Sequence, residues 1–150
     1  MQPNAFYHVA FAVPDLDAAM VTFAEAVGIR WHEPRTARLR DWTYRIVFST
    51  AEPRIELIEG PAGSPWDVSA SGPRFDHLGY WTESLDSTVD RWNACDGLRL
   101  AYDGREDGRP FAYFAADALG IRFEAVDETR RAAVDADWPA DDAAADVLER

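Results

Sequence analysis

Three observations predict an α+β fold made of two tandem βαβββ modules, about residues 6–60 and 75–127. The chain is 150 residues long, 47% hydrophobic and rich in aromatics, with six Trp and eight Phe, so it can bury the core of one ordinary domain. Its two halves repeat one another. Each half also reads as a short apolar strand, a helix with one buried face, and then about three strands. The division that follows is a single domain over 1–150: module 1 at 6–60, a linker at 61–74, module 2 at 75–127 and an acidic C-terminal extension at 128–150.

The repeat needs no gap. HVAFAVPDLDAAMVTFAEAVGIR, from His8, lies over HLGYWTESLDSTVDRWNACDGLR, from His77, so that His8 meets His77, Leu16 meets Leu85, Asp17 meets Asp86, Phe23 meets Trp92 and Gly28 meets Gly97. Later in each half, Arg54-Ile55-Glu56-Leu57-Ile58-Glu59 lies over Arg122-Phe123-Glu124-Ala125-Val126-Asp127, one residue closer in spacing, as a shortened loop allows.

The elements follow in order. Residues 7–13 are apolar and aromatic, a strand that Pro14 ends. Asp15 is the N-cap of a helix whose stripe is Leu16, Ala19, Met20, Phe23 and Val27, closed by Gly28. Strands are expected at 42–49 and 54–59, with Pro53 in the turn between them. The Gly-, Pro- and Ser-rich linker PAGSPWDVSASGPR carries Trp66, a residue that suits a lid. In the second half Ser84 caps a helix striped by Leu85, Thr88, Val89, Trp92 and Cys95 and closed by Gly97, which makes Cys95 a small core residue. Strands at 111–115 and 121–127 are separated by Leu119-Gly120, after a turn at 103–109. The extension beyond Asp127 carries seven acids and three Arg and reads as a short helix broken by Pro139, a solvated surface appendage.

Charge excludes some partners. Fifteen basic residues, all Arg, against 27 acids give a net charge of −12, a field that repels nucleic-acid phosphates and anionic membranes. One cysteine allows no internal disulfide, no apolar run is long enough for a membrane span, and MQPNAFYH has no secretory pattern. A cytoplasmic protein is expected.

Only three histidines occur, and the repeat relates two of them. It also relates Glu56 and Glu124, charged residues inside the apolar strand segments IELI and FEAV, where an unpaired carboxylate is costly. Strand alternation turns Val9, Phe11, Ile55, Leu57, Phe123 and Ala125 toward the helices, and His8, Glu56, His77 and Glu124 to the opposite, open face. If the modules face one another about a pseudo-twofold axis, two imidazoles and two carboxylates converge. That set suits one divalent ion, Zn, Ni, Co, Mn or Fe(II), better than Ca or Cu(I). Trp81, Arg54 and Arg122 share the open face; either Arg could grip a substrate carboxylate or phosphate, or pair with Glu52, Asp127 or another acid at a strand end. Trp42, Tyr44, Trp66, Phe111 and Tyr113 supply aromatic surface. His32 is expected at the surface.

HVAFAVPDLDAAM with Gly28, IELIEG, FDHLGYWTESLDS with Gly97, and GIRFEAVDE together resemble the vicinal oxygen chelate superfamily of glyoxalases, methylmalonyl-CoA epimerases, extradiol dioxygenases and bleomycin-resistance proteins. The resemblance spans about residues 6–128. It implies paired βαβββ modules forming a pseudo-twofold pair of curved sheets around a metal cleft, and a glyoxalase-type ligand set matched by His8, Glu56, His77 and Glu124. It implies a lyase, isomerase or epimerase that enolises a small oxygenated substrate. In that reaction the ion stabilises the enediolate, and Glu124 or else Glu56 is the base that moves the proton. The glutathione-holding residues of glyoxalases have no clear match here. Two alternatives stand beside this reading: a resistance or sequestration protein that binds a ligand unchanged, with or without metal, and a small Fe(II) dioxygenase, against which the intact fourth carboxylate argues. The expected partners are a small molecule and a second copy, in a homodimer.

Overall fold

The computed structural model describes residues 2–141, which run β1 (Phe6–Ala12), α1 (Leu16–Val27), β2 (Arg35–Leu39), β3 (Trp42–Phe48), β4 (Arg54–Glu59), β5 (Arg74–Thr82), α2 (Leu85–Asn93), β6 (Arg99–Asp103), β7 (Phe111–Ala116), β8 (Ile121–Asp127) and α3 (Arg131–Asp137). The strands form one sheet in the order β2-β3-β4-β1-β5-β8-β7-β6. Each module contributes four neighbouring strands, and the second set runs as the mirror of the first. Inside each module the first and last strands pair in parallel, β1 with β4 and β5 with β8. The antiparallel β1–β5 pair joins the two modules at the pseudo-twofold axis. The two expected four-stranded sheets are therefore halves of one continuous sheet. The two edge strands, RTARL and RLAYD, are the members of each module that hydropathy does not single out. They are short, polar and Arg-bearing, as exposed sheet edges tend to be.

The first helix begins and ends as its residues dictate. Asp15 accepts a hydrogen bond from the Ala18 amide at 3.0 Å, and Gly28 ends the helix with φ +71°, a conformation glycine adopts without strain. Leu16 is fully buried and Phe23 packs on Phe11 of β1, but Val27 in the last turn is exposed. In α2, Ser84 caps as expected, and Leu85 and Val89 bury against Ala112, Phe114 and Ala125. Its C-terminus departs from expectation. The chain tightens after Arg91 into bonds between residues three apart, Ala94 to Arg91 and Cys95 to Trp92, so the helix stops at Asn93. Cys95 lies beyond it and is exposed rather than in the core, and Gly97 does not close the helix.

The two segments outside the modules both pack inward. Trp66 of the linker is buried against Tyr44, and its Nε1 donates to the Tyr113 hydroxyl at 3.1 Å. The C-terminal extension is no surface appendage as far as it is described. Through α3 it returns to module 1, where Trp138 is buried against Phe48, beside His32 and under the Arg35 guanidinium. Arg54 donates to the Trp138 carbonyl at 2.6 Å and to Asp135 at 2.9 Å, and Asp141 closes the strap on Thr50 and Arg30. Residues 142–150 of the acidic extension lie outside the described residues. Among the described residues no helix is long and apolar enough to cross a membrane.

Candidate metal centre

The site is built where β1 and β5 cross the axis. Their pairing slips twice: Phe6 faces Tyr80 while His8 faces Gly79, and Ala10 faces His77 while Phe11 faces Phe75. Each slip is a β-bulge, with Tyr7 the extra residue in β1 and Asp76 the extra residue in β5. These two positions are related by the same 69-residue repeat as the histidines that follow them. A bulge lets two successive side chains share a face, so Tyr7 accompanies His8 into the cleft and Asp76 lies against His77. The strand across from His8 makes room for its ring. An added Cβ on Gly79 would stand 2.5 Å from the His8 ring.

All four expected donors meet, and one chain supplies them all. His8 Nε2 lies 2.8 Å from His77 Nε2. Glu56 approaches His8 Nε2 at 3.3 Å and His77 Nε2 at 3.8 Å, and Glu124 Oε2 is 3.2 Å from both nitrogens. All four side chains are buried. The reach of His8, Glu56 and His77 suits one ion, since bonds of about 2.1 Å to a common centre hold neighbouring donors roughly 3 Å apart. Glu124 Oε2 is buried against the two imidazole nitrogens, and among the described residues no Arg forms an ion pair with either glutamate. Two carboxylates and two imidazoles so placed fit a divalent ion.

The electrostatics split the glutamates. Burial pushes Glu56 up, and the neighbouring imidazoles only partly offset it. Burial also pushes Glu124 up, but the charge of His77, hydrogen bonds with both imidazoles and the charge of His8 together outweigh it and hold that carboxyl at about 2. For His77, burial disfavours the imidazolium, yet the charge of Glu124 and the hydrogen bond to Asp76 overcome it and raise the ring to about 10.

The two histidines are not held alike. His77 Nδ1 pairs with Asp76 at 2.7 Å, and that buried carboxylate is gripped in turn by Arg74 Nε at 2.8 Å and by Arg122. His8 Nδ1 has no partner; the bulge residue beside it is Tyr7, whose ring meets the imidazole edge-on at 4.1 Å and stacks on Trp81. An acid therefore backs one histidine and an aromatic ring the other.

A cavity of about 640 Å³ opens over this cluster, with His8, Glu56 and Glu124 in its wall and His77 behind them. Phe48, Trp66, Tyr113 and Trp138 line it, so both modules, the linker and the C-terminal strap contribute. The three expected substrate contacts stand elsewhere. Arg54 is buried under the strap, Arg122 is spent on Asp76, the Pro65 carbonyl and the Tyr113 ring, and Trp81 is buried behind Tyr7. His32 is half-buried beside Trp138 rather than at the surface, and outside the cluster. Asp76 is legible in the sequence only as the place where the repeat breaks, Asp before one histidine and Tyr before the other. Trp138 is legible as the lone aromatic of an Ala- and Asp-rich tail. Arg109, which reaches the cavity from a polar turn, has no signal in the sequence at all.

Comparison with known proteins agrees with this architecture. The family model described as the glyoxalase/bleomycin resistance protein/dioxygenase superfamily matches residues 7–113, a span that holds His8, Glu56 and His77 and stops short of Glu124. Among solved structures, methylmalonyl-CoA epimerase from Mycobacterium tuberculosis is similar at TM-score 0.61 and 22% identity, covering 85% of this chain and 92% of that one. A hypothetical protein from Bacillus halodurans is similar at TM-score 0.66 and 16% identity, over 84% of this chain and 95% of that one. A Streptomyces coelicolor methylmalonyl-CoA epimerase variant in complex with 2-nitronate-propionyl-CoA is similar at TM-score 0.62 and 16% identity, over 84% and 98%. No curated protein sequence matches the chain.

Proposed function

Because the chain belongs to the glyoxalase/bleomycin resistance protein/dioxygenase superfamily, we propose that it is a divalent-metal-dependent lyase, isomerase or epimerase that enolises a small oxygenated substrate. The observation that carries this reading is the convergence of His8, Glu56, His77 and Glu124, at 2.8 to 3.8 Å, in the wall of a cavity large enough for an organic ligand. These four would hold the ion, one of Zn, Ni, Co, Mn or Fe. An ion held there would supply Lewis acidity that lowers the cost of removing the proton beside a substrate carbonyl.

The chain's own groups move that proton. Glu124 presents its carboxylate in the cavity wall, and it is our first assignment for the base. Glu56 comes from the strand related to β8 by the pseudo-twofold, so it approaches the same point from the other module. A proton taken by one carboxylate and returned by the other to the same carbon inverts a centre; a proton returned by the same carboxylate to the neighbouring atom of the enediolate shifts the double bond, and a proton delivered to a β leaving group as its bond to carbon breaks completes an elimination. Phe48, Trp66, Tyr113 and Trp138 keep bulk water from the carbanionic carbon. The methylmalonyl-CoA epimerases among the similar structures support the epimerase-type branch. We propose a homodimer in which each protomer carries a complete cluster.

The test is proton exchange in D₂O, measured by NMR over a panel of 2-oxo and 2-hydroxy carbonyl compounds, with elemental analysis of the same preparation. The wild type should carry metal and exchange the proton beside the carbonyl. Glu124→Gln should keep much of the metal while exchange falls by roughly 10²–10⁴, the range for a lost general base. Glu56→Gln is the matched control, and whichever variant loses exchange but keeps metal identifies the base. Tight binding without exchange in the metal-loaded wild type would establish the sequestering alternative, which the aromatic wall would serve equally well.

A further inference from the structure

Resting on the chelate reading above, we propose that the substrate is an organic anion, with a carboxylate or phosphate at the end remote from its chelating oxygens, and that Arg109 holds this group. In a chain of net charge −12, most of the described arginines are neutralised by a carboxylate within 4.0 Å. Arg109 and Arg130 have no such partner among the described residues, and both line the cavity that holds the donor cluster.

Of the two, Arg109 is the one that is aimed. It is half-buried, and its guanidinium donates to the Arg38 carbonyl at 3.1 Å and to the Tyr44 hydroxyl at 3.3 Å. Both acceptors are neutral, so they orient the fork without discharging it. The neighbouring acid, Asp107, is committed to Arg40 at 2.8 Å and to the Tyr102 hydroxyl. An oriented, undischarged guanidinium facing a cavity is built for a carboxylate or phosphate. Arg130, exposed at the rim, adds to the same field.

The same cavity wall holds the donor cluster. An ion held by His8, Glu56, His77 and Glu124 would take the chelating oxygens of a substrate, which leaves the Arg109 guanidinium for the group at the other end. Tyr44 lines the cavity beside Arg109, and its hydroxyl accepts from that guanidinium at 3.3 Å. The two anchors together fix which way round a substrate enters.

The experiment measures binding of two probes of different length, 2-oxoglutarate and 4-carboxyphenylpyruvate, each beside the methyl ester of its far carboxylate. Titrations are run by calorimetry on the full chain, with and without added Zn. In at least one pair the acid should bind the wild type ten-fold or more tighter than its ester. Arg109→Gln should bring the acid to the level of the ester and leave the ester unchanged, and Arg109→Lys should recover part of the difference. Equal binding of acid and ester in both pairs, an absence of binding by all four, or an equal loss for acid and ester in Arg109→Gln would overturn the proposal. The metal arm separates the two readings. An acid preference in a protein that takes up no Zn sinks the chelate and leaves the anion site standing, whereas Zn uptake with no acid preference does the reverse.

Discussion

Gly79 and Asp76 decide how the histidines stand, and neither would coordinate an ion. A methyl group at position 79 would lie 2.5 Å from the His8 ring, which is buried and cannot swing aside. Gly79→Ala should therefore displace His8 and weaken Zn or Co binding in a calorimetric titration, while the isolated His32→Ala change leaves it intact. Behind His77, the Asp76 carboxylate fixes Nδ1 as the hydrogen-bonded nitrogen and leaves Nε2 for the cleft. Asp76→Asn should cost metal affinity about 10- to 100-fold, the usual effect of losing such a backing carboxylate. No equivalent substitution exists on the other side, where Tyr7 backs His8. Tyr7→Phe should leave affinity within about two-fold, since it removes no partner of the imidazole. Equal sensitivity at Asp76 and Tyr7 would mean that the bulges, and not the acid, position the rings.

Among the elements, the C-terminal strap is the one whose removal tests a specific interaction. Arg54, 5% exposed, depends on it for the Trp138 carbonyl and for Asp135, and Glu52, at 3.6 Å, is the remaining acid. Ending the chain after Asp127 removes those partners, uncovers the guanidinium to water and strips the buried Trp138 from Phe48; losing a buried Trp costs about 3–5 kcal/mol. Chemical denaturation should show a loss of that order, and Trp138→Ala in the full chain should reproduce most of it, because Arg54 regains water once the strap is gone. If Trp138→Ala costs little, the strap stabilises through Arg54 and its partners instead. These elements also mark where sequence reading succeeds and fails. The cap at Asp15, the stop at Gly28 and the strand around Glu124 are local facts, written in adjacent residues. The role of Arg54 is not local. Alternation correctly turned it away from the helix, but the acid that claims it lies 81 residues on, in a segment whose composition reads as a solvated tail.

At the scale of the whole molecule, the repeat made the cluster legible, because duplication places equivalent residues about an axis, and the paired histidines and glutamates are the metal-capable side chains that alternation turns to the open face. What the repeat could not show is where the symmetry breaks, at Tyr7 against Asp76 and in the unmatched strap, and Tyr7 and Trp138 of these both line the cavity. Completeness within one chain carries a measurable consequence. A metal that binds only the folded state at about 100 times its dissociation constant adds roughly 2.7 kcal/mol of stability. For a domain of this size that is a rise in Tm of about 5–11 °C, at about 2–4 °C per kcal/mol. Because His8, Glu56, His77 and Glu124 all come from one chain, the metal-induced rise should be the same at high and low protein concentration, and EDTA should abolish it at both. Differential scanning fluorimetry across a hundred-fold dilution reads this directly. A rise that fades on dilution would mean that a second copy is needed to close the site, and no rise with any of Zn, Ni, Co or Mn would mean that the cluster is held together by its own hydrogen bonds and binds no ion.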